Sequence, residues 1–134
     1  MSVKTVLAID DDTAILDLIR TTFDVMLNVT TLTAASGEEG LAWIAASHPS
    51  VVVVDLRMRG LSGAAVIRRL QNDPVTAAIP IIALTAGSAE QRDHAIELGA
   101  RECLAKPFSP RLLADRVRAY LGPPPEAHSA ESVD

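Results

Sequence analysis

The sequence predicts an α/β fold, a parallel sheet with helices on both faces, and three observations carry that prediction. Short apolar runs alternate five times with segments of helical periodicity. One of those runs, Val51 to Val54, is wholly apolar, the pattern of a strand buried on both faces rather than the alternation of a half-exposed one. A chain of 134 residues with 49% hydrophobic and only 3% aromatic side chains is the size of one domain and rich enough in aliphatic groups to fill its core.

The elements follow in order. Val6-Leu7-Ala8-Ile9 reads as a first strand, stopped by the consecutive acids Asp10, Asp11 and Asp12. From Thr13 to Phe23 the residues Ile15, Leu18, Ile19 and Phe23 recur at near-helical spacing. Val29 to Leu32 is rich in β-branched residues, and Ser36-Gly-Glu-Glu39 has the Ser-x-x-Glu spacing of a capping box opening a helix through about Ala46. After Val51–Val54 and the turn Gly60-Leu-Ser-Gly63 comes a helix carrying Ala65, Val66, Ile67 and Leu70. Ile79 to Leu84 is the fourth strand, with Pro80 near its start, where a missing donor is tolerated. Ser88-Ala-Glu-Gln91 again has capping-box spacing, for a helix ending at Gly99. A short strand, Glu102 to Ala105, leads to Lys106-Pro107. Ser109 as N-cap and Pro110 at the first helical position then open a last helix whose Leu112, Leu113, Arg116, Val117 and Tyr120 share a face. Trp43 is assigned to packing on the second helix, and Cys103 to the core as a small residue. His48, His94 and His128 receive no role. The folded unit is placed at residues 1–121, and the proline-rich acidic segment 122–134 is read as a disordered tail or a linker stump.

Charge narrows the function. Twelve Lys and Arg against 17 Asp and Glu give a net charge of −5, without the basic excess of a phosphate-backbone binder, so no direct nucleic-acid contact is expected. No apolar stretch approaches a membrane span, and the single cysteine fits a reducing compartment, so a soluble, cytoplasmic protein is expected. Ligands of open α/β sheets bind beyond the carboxyl ends of the strands. Asp10 and Asp11 end the first strand, Asp55 the third, Thr85 the fourth and Lys106 the fifth. Three carboxylates brought together repel one another, and a hard divalent cation, Mg2+, relieves the repulsion. A lysine and a threonine hydroxyl complete a clamp for phosphoryl oxygens, which suggests phosphoryl transfer to an aspartate. Asp12 is set aside from the metal set, since a carboxylate there also serves as the cap of the first helix.

The runs VLAIDDD, VVVVDLRMRGLSG, PIIALTA and CLAKPF, in this order and at these separations, make the chain from about Val3 to Leu121 resemble the receiver domain of two-component response regulators. The resemblance implies a (βα)5 flavodoxin-like sheet of order 2-1-3-4-5 and Asp55 as the phospho-acceptor. It implies that Asp10, Asp11, Asp55 and the backbone carbonyl of Arg57 hold Mg2+, that Thr85 and Lys106 bind phosphoryl oxygens, and that Lys106–Pro107 is cis. It further implies a signalling switch rather than a classical enzyme, with a histidine kinase or histidine phosphotransfer protein as donor and a further protein as target. Assembly is expected to be monomeric or weakly dimeric through the face of the fourth helix, fifth strand and fifth helix, where Arg92, Arg111, Arg116 and Arg118 stand beside Glu90, Asp93, Glu97 and Asp115.

Three positions depart from the family pattern. Arg59 stands where proline is usual, Gly87 gives no side chain to orient an attacking water, and Cys103 replaces the common aromatic residue on the fifth strand. From Gly87 we expect slow to moderate self-dephosphorylation. Nothing after Leu121 reads as an effector domain, so a stand-alone receiver is the first reading. The alternatives are an excised receiver of a longer DNA-binding regulator and a phosphorylation-independent module. A phosphatase of the haloacid dehalogenase type would need an acid where Arg57 stands.

Overall fold

A computed structural model describes residues 3–122, so the proposed tail, beyond Gly122, lies outside the described residues. In chain order the elements are β1 (Lys4–Ile9), α1 (Thr13–Met26), β2 (Val29–Ala34), α2 (Gly37–Ser47), β3 (Val51–Asp55), α3 (Gly63–Asn72), β4 (Ile81–Thr85), α4 (Ala89–Leu98), β5 (Glu102–Ala105) and α5 (Pro110–Leu121). The five strands form one parallel sheet in the order β2-β1-β3-β4-β5. This is the flavodoxin-like arrangement, and strand order reverses between β1 and β3.

Strand alternation divides the core into two layers. Val6, Ala8, Val51, Val53, Ile82 and Leu84 pack beneath α1 and α5, against Leu16, Ile19, Phe23, Leu113 and Val117. Leu7, Ile9, Val52, Val54, Ile81 and Ala83 face the other way, toward Ile44 of α2, Val66, Ile67 and Leu70 of α3 and Ala95 of α4. All four valines of β3 are fully buried, as the unbroken apolar run predicts.

Four helix starts follow the predicted caps, and Ser62, read only as part of a turn, caps α3 in the same way. Asp12, Ser36, Ser62, Ser88 and Ser109 each accept a backbone N–H of the first turn, and Gly99 closes α4 at φ 125°. Some boundaries move. β4 begins at Ile81 rather than Ile79, because Pro80 has no N–H to give the sheet; its carbonyl still accepts from Val52 at 3.0 Å. α1 runs on to Met26, and the N–H of its buried cap residue Leu27 closes on the Phe23 carbonyl at 2.8 Å.

Three side chains depart from their expected settings. Leu112 lies on the exposed side of α5 and Trp43 on the exposed side of α2, since the turns that bury Leu113 and Ile44 rotate their neighbours outward. Arg118 turns toward α1, donating to the Met26 carbonyl at 2.9 Å and to Asp115, so it does not belong to the α4–β5–α5 face.

Gly63 sets how closely α3 approaches β3. Its N–H donates to the Leu56 carbonyl at 3.1 Å, and a Cβ there would lie 2.0 Å from the carbonyl oxygen of Asp55. Gly63→Ala is therefore expected to destabilise the protein by about 2 kcal/mol, the cost of overpacking against backbone. Urea denaturation tests this, and an unchanged midpoint would show that the loop yields without cost.

Candidate functional site

The chain ends of β1, β3 and β5 place three charged side chains on one side of the sheet. Asp10, Asp55 and Lys106 continue the alternation of Val6 and Ala8, of Val51 and Val53, and of Leu104, so all three sit toward the α1 and α5 layer. Lys106 Nζ donates to Asp10 Oδ2 at 2.9 Å and to Asp55 Oδ2 at 3.1 Å. The second oxygen of Asp10 accepts the Asp12 N–H at 3.0 Å, and that of Asp55 the Arg57 N–H at 3.3 Å. Asp11 accepts the Arg59 N–H at 3.1 Å, which ties the loop after β3 to the loop after β1. Asp12 is spent as the cap of α1, its side chain accepting from Ala14 at 3.0 Å. The peptide bond Lys106–Pro107 is cis.

Burial makes this cluster electrostatically demanding. Asp10 is 1% exposed and Asp55 6%. Burial, and then the neighbouring charge of Asp10, push the Asp55 carboxyl above the usual aspartate range, against the pull of Lys106. Burial also works against the charge on Lys106, but the bonds and charges of Asp10 and Asp55 outweigh it and hold the ammonium firmly protonated. One oxygen each of Asp10, Asp11 and Asp55 lies within 4.8 Å of the others. Lys106 is shared by Asp10 and Asp55, and Asp11 faces only the solvated guanidinium of Arg59 at 3.9 Å, so the three carboxylates are under-compensated, and their oxygens are hard donors. That set suits a small divalent cation such as Mg2+. An open cleft lined by Ile15, Asp55, Arg57, Ala86, Lys106 and Pro107 gives access from solvent.

Thr85 is placed differently. It continues the alternation of Ile81 and Ala83, toward the α4 layer, and is 1% exposed. Its hydroxyl bonds Gln91 of α4 at 2.8 Å and accepts the Gly87 N–H at 3.4 Å. It makes no hydrogen bond to the carboxylate cluster among the described residues. The Gln91 amide is oriented by its other neighbour: with its nitrogen donating to Thr85 at 2.8 Å, its oxygen accepts Arg57 Nη2 at 3.1 Å and Nε at 3.2 Å. The opposite orientation would set donor against donor at the guanidinium. Of the predicted site residues, Asp10, Asp11, Asp55 and Lys106 are thus brought together, and Thr85 stands beside them in a separate network. Sequence reasoning missed Gln91, which carried no signal beyond its place in a capping box.

On the flank of β5, Glu102 accepts Arg116 Nε and Nη2, both at 2.7 Å, and the Tyr120 hydroxyl. Arg116, expected at the outer face for pairing with another copy, is therefore engaged within the chain. The Arg116 hydrogen bond holds the Glu102 carboxyl below the usual glutamate range, against the effect of burial. A lowered folded pKa contributes stability above the unfolded value of about 4.3 and loses it as pH falls through the folded value. Glu102→Gln is expected to lower Tm by a few degrees at pH 7, with wild type and variant converging in scans below about pH 4. Cys103 is half-buried against the α4 layer, where burial pushes its thiol up, Arg92 opposing, as suits a packing residue.

With fold and geometry in place, the relatives are consistent with one another. The family model for the response regulator receiver domain matches residues 6–118. A probable transcriptional regulator, ycf27, of Cyanophora paradoxa is 39% identical over 88% of this chain and 48% of its own length. The phosphate regulon transcriptional regulatory protein PhoB of Pseudomonas aeruginosa is 36% identical over 88% of this chain and 52% of its own. Among solved structures, a putative response regulator from Chloroflexus aurantiacus aligns with a TM-score of 0.84 at 31% identity, covering 90% of this chain and 98% of that one. The Francisella response regulator 1452 receiver domain aligns with a TM-score of 0.81 at 31% identity, covering 87% and 95%. The chain belongs to the response regulator receiver domain family and is the receiver domain of a two-component response regulator, a signalling protein rather than a classical enzyme. It spans about half the length of the curated relatives it matches.

Proposed function

We propose that Asp55 accepts a phosphoryl group from a phosphohistidine of a histidine kinase or histidine phosphotransfer protein, in a Mg2+-dependent step that switches the contacts of this domain with other proteins. The observation that supports this most is the pairing of one half-buried lysine with two buried carboxylates at the rim of an open cleft. An Asp55 oxygen attacks phosphorus in line, the P–N bond to the donor histidine breaks, and the imidazole leaves with the bonding pair. Asp10, Asp11, Asp55 and the Arg57 carbonyl would hold Mg2+, which would supply charge screening between the carboxylates and the incoming phosphoryl oxygens. Lys106 exchanges its bond to Asp55 for one to a phosphoryl oxygen, and the Thr85 hydroxyl donates to another. The acyl phosphate adds roughly −1.5 to −2 charge, to which Thr85 and α4 respond.

At the level of the whole protein, the curated relatives favour the second reading over a stand-alone receiver, because this chain matches only about half of proteins described as transcriptional regulators. Any nucleic-acid contact would then belong to a region outside residues 1–121. Among the described residues no helix is long and apolar enough to cross a membrane. The α4–β5–α5 face, exposing Ile96 and Leu112, is the proposed surface for weak dimerisation. Incubation with acetyl phosphate tests the central claim: intact mass should rise by one phosphoryl group only with Mg2+, and hydroxylamine should reverse it. No adduct under these conditions would leave the phosphorylation-independent module standing.

A further inference from the structure

We infer that Gln91 is a positioning residue that sets how readily the Asp55 site takes up a phosphoryl group, by holding Arg57 and Thr85 to α4 in the resting domain. This rests on the function proposed above. Gln91 occupies the third helical position after the Ser88 cap, and its N–H is satisfied by Ser88 Oγ at 3.1 Å. In a capping box its side chain would turn back to the backbone before the helix, as Glu39 does at α2 by accepting the Ala35 N–H at 2.8 Å. Gln91 does not turn back. Its amide reaches the site instead, donating to Thr85 at 2.8 Å and accepting two N–H groups of Arg57 at 3.1 and 3.2 Å.

The two groups it holds are the ones an anion on Asp55 would call on. Arg57 lies two residues beyond Asp55 and lines the same cleft. Thr85 already accepts from Gln91 and from Gly87, so its own proton is free to donate. A phosphoryl dianion offers the guanidinium charge-assisted hydrogen bonds roughly twice as strong as those of a neutral amide. Arg57 therefore leaves Gln91 as the anion forms, and the bonds given up are subtracted from the affinity of the site. The release also frees the first turn of α4, which joins the charge at Asp55 to a helix on the opposite layer.

The test is the affinity for beryllofluoride, a phosphoryl stand-in, measured by titration calorimetry with Mg2+. Gln91→Ala, which removes the bridge, should bind about fivefold tighter than wild type, the scale of one net hydrogen bond. Gln91→Glu, which would pair with Arg57 and draw the Thr85 proton to itself, should bind about fivefold weaker. In an Arg57→Ala background the gain from Gln91→Ala should shrink to less than about twofold, since the two residues then no longer share a bond. A merely structural role would move both Gln91 variants in the same direction. Affinity unchanged or weakened in Gln91→Ala, or a gain undiminished without Arg57, overturns the bridge while leaving the proposed function intact. A wild type that binds no beryllofluoride overturns both. Should alanine loosen the helix, as near-ultraviolet circular dichroism would show, Gln91→Leu serves in its place.

Discussion

Asp55→Asn is expected to reduce Mg2+-dependent labelling by acetyl phosphate at least about 100-fold, because a carboxamide lacks the anionic oxygen that attacks phosphorus. Asp10, Asp11 and Lys106 stay in place in this variant, so the loss isolates the nucleophile from the clamp around it. Labelling at a wild-type rate would move the acceptor elsewhere. The same substitution carries a second outcome of opposite sense. Burial and the Asp10 charge raise the Asp55 carboxyl in the folded state, so the native protein holds that proton more tightly than the unfolded chain. Stability contributed in this way is fully present below the unfolded value of about 3.9 and is lost as pH rises through the folded one. Without metal at pH 7, Asp55→Asn should therefore be more stable than wild type, with the gain vanishing near pH 3. Urea denaturation in EDTA across that range is the measurement, and a gain constant with pH would refute this origin.

Lys106→Ala should be the most damaging change at the site. Its ammonium is bonded to Asp10 and Asp55 at 2.9 and 3.1 Å, and both carboxylates are buried. Removing the half-buried lysine leaves two buried carboxylates uncompensated, at a cost of up to about 3 kcal/mol. The loss should grow with pH, since Asp55 then has one fewer cation opposing its protonation. Millimolar Mg2+ should restore part of the stability by binding the folded state only. Labelling from acetyl phosphate should still fall by about 100-fold, because nothing draws charge from the phosphoryl oxygen. Full activity in the presence of Mg2+ would show that the metal alone suffices and that Lys106 is structural.

Much of the fold was legible in the sequence because its signals are local. The valine run of β3, the caps at Asp12, Ser36, Ser88 and Ser109, and the glycine ending α4 all act within a few residues of where they stand. The carboxylate and lysine cluster was legible for a related reason: a parallel sheet brings the carboxyl ends of its strands to one edge, so residues ending different strands become neighbours. Leu112 and Trp43 were misplaced because a helical stripe wider than the buried seam offers more apolar residues than the neighbouring layer covers. Arg116, placed by periodicity beside Tyr120 but by charge on the outer face, and Arg118, placed outward by charge, are long enough to reach Glu102 and the α1 carboxyl end.

By itself, then, the sequence determined the order of elements, the two-sided burial of the sheet and the edge at which the polar residues gather, since these depend on periodicity and chain direction. Only the tertiary structure decided that Thr85 faces the opposite layer from Asp55, and that Gln91, rather than closing its own helix cap, links Thr85 to Arg57. Those contacts join side chains from separate elements over 2.8 to 3.2 Å. Distances of that kind follow from how helices seat on a sheet, and no spacing along the chain encodes them.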